Sequence, residues 1–179
     1  MQILRSLPVS SADYIAREFH TRIIPPSRCR LCHAAQPFEA LGYYSRSLTL
    51  DREIIRIYVR RFRCKKCGRT ASILPSFAQP YRLVQNEVID EYFETGAADP
   101  NSPWKLILAG YRRKFGRWLP ELRRALNSRS GRAPPFEAGH EAWRALRKSL
   151  GDLERITEFL VAEFQITVFG RYRCHSIGA

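Results

Sequence analysis

The chain has 179 residues, with 30 Lys and Arg against 17 Asp and Glu and a formal net charge of +13. That length fits one ordinary domain or two small ones and excludes a large catalytic domain beside them. The charge points to a polyanionic partner before a small-molecule substrate, and no apolar run approaches the ~20 residues of a membrane span, so a soluble cytoplasmic protein is expected.

The charge is uneven. Residues 1–80 hold 14 basic and 5 acidic side chains, residues 81–135 hold 10 and 6, and residues 136–179 hold 6 and 6. The first three quarters therefore face the polyanion and the last quarter does not.

In chain order, residues 1–26 form a lead-in with one short helix at about 10–22, capped by Ser10 or Ser11, with Tyr14, Ile15, Ala16 and Phe19 as apolar positions and Pro25-Pro26 as the stop. Residues 27–82 follow as one unit built on Cys29-x2-Cys32 and Cys64-x2-Cys67, two pairs separated by 31 residues. A Cys-x2-Cys turn lets two sulfurs converge while the backbone reverses, and two such turns hold one tetrahedral metal ion, for which thiolate-preferring zinc is the first candidate. Cys29-Arg-Leu-Cys32-His33 also matches the haem-attachment pattern, but that chemistry needs export, and Arg5, Asp13, Arg17, Glu18 and Arg22 interrupt any leader-like apolar run. His33 adjoins Cys32 and is a substitute ligand to weigh. Cys174, beside His175, reads as an ordinary C-terminal thiol.

Between the pairs lie two strand-like runs at about 38–48 and 53–63, turned at 49–52. In the second, Ile55, Ile57 and Val59 fall on one face and Arg56, Tyr58, Arg60 and Phe62 on the other, because strand side chains alternate. Arg61 and Arg63 break the apolar face just before Cys64, and a short strand follows at 70–74. Turn, long hairpin, turn and short strand is the order of a zinc ribbon, whose thin core needs the ion to stay folded.

Residues 83–127 read as a basic helical segment. A helix is expected at about 84–95, on Val84, Val88, Ile89 and Phe93, with Asp90, Glu91 and Glu94 on a solvated face. After a loop at 96–101 the strongest periodicity in the chain begins: Trp104, Ile107, Leu108, Tyr111, Phe115, Trp118, Leu119, Leu122 and Leu126 fall within about a third of the helical wheel. Ser102 and Pro103 suit its start. Arg113, Arg117 and Arg124 lie opposite the apolar stripe, flanked by Lys105, Arg112, Lys114 and Arg123. Gly116 and Pro120 predict a kink, or two helices. A connector at 127–135, taken as a linker at 128–135, precedes a C-terminal segment, 136–179, with helices near 136–149 and 152–164 and a strand at 166–169.

The run from Arg61 to Arg82, RFRCKKCGRTASILPSFAQPYR, resembles the ribbon-to-helix junction of bacterial insertion-sequence transposases, and is similar to a group of small bacterial zinc-ribbon proteins of unknown role. The resemblance covers about 27–126. It implies Cys29, Cys32, Cys64 and Cys67 as ligands of one structural zinc, and a helix-turn-helix-like element after the ribbon. The transposases continue into a ribonuclease-H-like domain with three carboxylates, and the residues after Pro135 are too few to build one.

The expectation is an α+β protein: a four-cysteine zinc ribbon followed by a mainly helical region, non-catalytic, binding duplex DNA, and a nucleoid-associated derivative or accessory of a mobile element. The nucleic-acid surface is expected at Arg56, Arg60, Arg61, Arg63, Lys65, Lys66, Arg69, Arg112, Arg113, Lys114 and Arg117 through phosphate contacts. Two alternatives stand beside it. One is RNA, with Tyr43, Tyr58 and Phe62 stacking on unpaired bases near Arg56 and Arg60. The other is a protein partner or self-association through the C-terminal segment. No Gly-rich phosphate loop, H-E-x-x-H or Ser/His/Asp arrangement suggests an enzyme, and His20, His33 and His140 read as surface or packing residues.

Overall fold

A long β-hairpin organises the first half of the chain. In this computed structural model, which describes residues 2–50, 53–80, 82–96, 102–130 and 139–172, strand β2 (Phe38–Leu50) pairs antiparallel with β3 (Glu53–Cys64), from Leu50 opposite Glu53 to Phe38 opposite Cys64. The register shifts between Ala40 and Gly42, leaving Leu41 as a bulge. Strand β4 (Thr70–Pro75) returns antiparallel to β3, and β1 (Gln2–Arg5) pairs parallel with β4, giving the order β1-β4-β3-β2. Since β4 is an inner strand and neighbouring side chains point to opposite faces, full burial of both Ile73 and Leu74 means that the sheet is covered on both sides there.

Helix α1 (Ser11–Ala16) is capped by Ser10, whose Oγ accepts from the Asp13 N–H at 3.0 Å, and a 3-10 turn, Phe19–Arg22, follows. The Tyr14 hydroxyl donates to the Tyr58 carbonyl at 2.6 Å, fixing α1 to β3. Burial pushes the Tyr14 phenol well above its ordinary pKa.

Helices α2 (Asn86–Thr95), α3 (Lys105–Ser130), α4 (Gly139–Leu150) and α5 (Leu153–Phe164) enclose a second core. Its centre is Trp143, fully buried, with the Phe93 ring 4.8 Å and the Phe115 ring 5.8 Å away, centroid to centroid. Leu146, Leu153, Ile156 and Leu160 join Ile89, Leu108 and Leu122 in the same cluster. The apolar faces of the C-terminal helices are thus consumed inside the chain, which leaves their polar faces for any partner. A small ladder of β5 (Ile166–Thr167) and β6 (Gly170–Arg171) closes the described chain.

Three expectations change. Helix α3 is one helix through Gly116 and Pro120 and not two; both residues are exposed, so the missing proline N–H falls on the solvent side of the helix. It extends to Ser130, so the connector starts later than 127; residues 131–138 lie outside the described ones. Asp90 is not on a solvated face: it is 8% exposed, 3.6 Å from the Arg147 guanidinium, and accepts from the Leu153 N–H at 3.4 Å.

Sheet and helices meet through polar contacts. Gln79 Nε2 donates to Thr157 Oγ1 at 2.6 Å, the Ser76 hydroxyl bonds the Glu154 carboxylate, and the Tyr172 hydroxyl donates to the Gln2 carbonyl at 2.8 Å. The half-buried Arg46 guanidinium donates to the Gln79 and Arg82 carbonyls.

Candidate metal centre and basic surfaces

Hairpin register brings the two cysteine turns together. With Phe38 opposite Cys64, the chain entering β2 lies beside the chain leaving β3, and the Lys65 N–H donates to the Pro37 carbonyl at 2.7 Å as one further rung. Each turn has the same hydrogen bonds. The His33 N–H donates to the Cys29 carbonyl at 2.9 Å and the Cys29 N–H to the Ala34 carbonyl at 3.0 Å; the Gly68 N–H donates to the Cys64 carbonyl at 2.8 Å and the Cys64 N–H to the Arg69 carbonyl at 2.8 Å.

The four Sγ atoms of Cys29, Cys32, Cys64 and Cys67 all lie within 4.8 Å of one another, with 3.8 Å from Cys29 to Cys67 and 3.6 Å from Cys32 to Cys64. All four are free thiols, too far apart for disulfides. The set can hold one metal ion. Burial works against ionising Cys29, but the Cys32 and Leu31 N–H groups and the neighbouring sulfurs outweigh it and bring its thiol down to about 7. The Arg69 N–H favours the Cys67 thiolate, yet burial and the three other sulfurs push that thiol up to about 11. Four sulfurs crowded together cannot all carry charge unless a cation sits among them. His33 belongs to the turn and not to the sulfur cluster: it takes a left-handed φ of 55° at the place where the second turn has Gly68, φ 71°.

The expected basic residues fall into three groups. Lys65, Lys66 and Arg69 are exposed on the second cysteine turn. On the hairpin, Arg56 is exposed and Arg61 half-buried; Arg63 is held by Glu39 at 2.6 Å, and Arg60 lies 4.6 Å over the Tyr43 ring and 5.6 Å over Phe62. On α3, Arg113, Lys114 and Arg117 are exposed, whereas Arg112 donates to the Gly96 carbonyl at 2.9 Å and so closes the end of α2. At 100° per residue Arg113, Arg117 and Arg124 share one solvent-facing stripe, although Arg124 pairs with Glu121 at 2.6 Å.

Phe62 is not available for stacking. It sits on the expected face, under Arg60, but at 3% exposure it belongs to the sheet core. Tyr43 and Tyr58 are about half exposed, with the His20 ring 5.0 and 5.2 Å from them. His140 Nε2 lies 3.1 Å from the Glu94 carbonyl. The sequence reading missed the packing of His20 between the two tyrosines, and had no signal for it, because the 3-10 turn that carries His20 follows a left-handed Glu18, φ 47°. Cys174 lies outside the described residues.

Residues 29–103 are similar to a family described as a domain of unknown function (DUF6431). The similar stretch opens on the first cysteine and spans both turns, the hairpin, β4 and α2, stopping short of α3. No curated protein and no solved structure matches the chain. Among the described residues, no helix is long and apolar enough to cross a membrane.

Proposed function

We propose that this chain is a non-catalytic, zinc-dependent DNA-binding protein, derived from or accessory to a mobile element, in which a structural zinc holds the ribbon and α3 presents a basic stripe to duplex phosphates. The observation that carries the DNA reading is the pairing of faces on α3: Leu108, Phe115 and Leu122 are buried while Arg113 and Arg117 are exposed and unpaired among the described residues. A helix whose apolar face is already filled has a fixed orientation, so its cations form a preorganised surface and not a mobile charge cloud.

The sulfur distances suit one tetrahedral ion held by four thiolates, and zinc is the usual ion of a closed four-cysteine site. A tetrahedron with metal–sulfur bonds of about 2.3 Å has edges of about 3.8 Å, beside the 3.6 and 3.8 Å separations present here. Four thiolates leave no open position for water, so the ion's contribution is cohesion of the ribbon. The likeness of the 61–82 run to the transposase junction supports the mobile-element origin.

Titration of duplex DNA at rising salt tests the reading. Affinity should fall steeply and linearly on logarithmic axes, with a slope of about −0.9 for each phosphate neutralised. Salt-insensitive binding, or none above that of a generic basic protein, would reject it.

A further inference from the structure

A cavity of about 80 Å³ lies between α1, the 3-10 turn and β3. Tyr14, Ile15 and Tyr58 supply apolar walls, and Glu18, His20 and Arg56 also line it. Neither the Glu18 carboxylate nor the Arg56 guanidinium has a hydrogen-bond or ion-pair partner among the described residues. Apart from the electrostatic pull of Glu18 on the neighbouring His20 ring, these two charges of opposite sign have no partner among the described residues, and on one aromatic-walled cavity they suit a flat, polar-edged ring that donates to one and accepts from the other.

We propose that this cavity takes the edge of an unpaired nucleobase, guanine in preference to thymine, with the Glu18 carboxylate accepting from its ring N–H and amino group and the Arg56 guanidinium donating to its acceptor edge. Guanine offers two adjacent donors and the O6/N7 acceptor pair that arginine reads, whereas thymine offers one donor between two acceptors and no amino group. The volume is about half that of a cavity known to hold a whole benzene ring, ~150 Å³, so the base enters by its edge while the half-exposed Tyr58 ring covers its face.

The inference rests on the nucleic-acid reading above but uses a different surface, so the two are separable. Binding of the full chain is measured to a duplex and to short thymidine strands carrying one central guanine, one thymine or one abasic site. The guanine strand should bind about tenfold tighter than the other two, within the range expected for one stacked, hydrogen-bonded base. Glu18→Gln and Tyr58→Ala should each erase that preference while duplex affinity and metal content stay unchanged. The same strand in RNA separates ribose from deoxyribose sources. Equal affinity for all three strands, with duplex binding intact, overturns the cavity assignment alone. Failure to bind duplex and strands alike overturns the nucleic-acid reading with it.

Discussion

His33 and Gly68 occupy one position in two copies of the same turn, at φ 55° and 71°, each donating its N–H to the first cysteine of its pair. Glycine takes that conformation freely and a side chain pays about 1 kcal/mol or more for it. A Cβ on Gly68 would meet nothing within 4 Å, so the cost of Gly68→Ala is purely conformational. Gly68→Ala should therefore destabilise the ribbon by about 1 kcal/mol, while His33→Gly should stabilise it slightly and leave metal stoichiometry unchanged. Loss of metal in His33→Gly, by elemental analysis, would make His33 a ligand.

Replacing a buried cysteine of the cluster removes a ligand and leaves three. Cys64→Ser should lose tight zinc binding and loosen the two cysteine turns with the Phe38–Cys64 end of the hairpin, whereas the strands farther from the sulfurs persist on the sheet core of Leu48, Ile57, Val59 and Ile73, so that the loss of strand signal by circular dichroism is partial. Cys174→Ser should keep one ion per chain. A Cys64→Ser protein with full metal content would contradict the ligand set.

The helical core has its own keystone. Trp143 is fully buried and its Nε1 has no acceptor among the described residues, so Trp143→Ala should cost roughly 3–5 kcal/mol in chemical denaturation and Trp143→Phe much less. Trp104 is half-buried, and its alanine variant should cost less than Trp143→Ala.

Asp90 sets a pH signature. Burial raises its pKa above the ordinary 3.8 despite the opposing pull of Arg147. The folded state then binds the proton more tightly than the unfolded one, so this carboxyl favours folding below its unfolded pKa, and the benefit is lost as pH rises through the folded value. Asp90→Asn, which stays neutral, should raise the melting temperature at pH 7 and show little difference near pH 4. A penalty at pH 7 would mean that the Arg147 attraction outweighs desolvation.

How much was legible follows from which contacts are local. The cysteine turns and hairpin could be read because ligand spacing and two-residue alternation are written in consecutive residues, and α3 because its apolar stripe repeats along the helix. β1 was invisible: Gln2–Arg5 is four residues long and its partner, β4, pairs in parallel from about seventy residues away. Phe62 was placed on the right face but judged exposed, since alternation assigns faces and says nothing of what covers them. Trp143 was overlooked because its burial depends on α2 and α3, distant in sequence, meeting α4. Whether Pro120 divides the segment into two helices depends on which side of the helix faces water, which the apolar periodicity does not fix.

The central claim is that the exposed stripe of α3 binds duplex phosphates. It is tested most directly by the double charge reversal Arg113→Glu with Arg117→Glu, measured by fluorescence anisotropy on duplex DNA across a salt series. Both side chains are exposed, so fold and zinc content should persist while affinity falls and the logarithmic salt slope shrinks by about 2, one unit for each lost phosphate contact. Unchanged affinity and slope in a folded, zinc-loaded variant would contradict it.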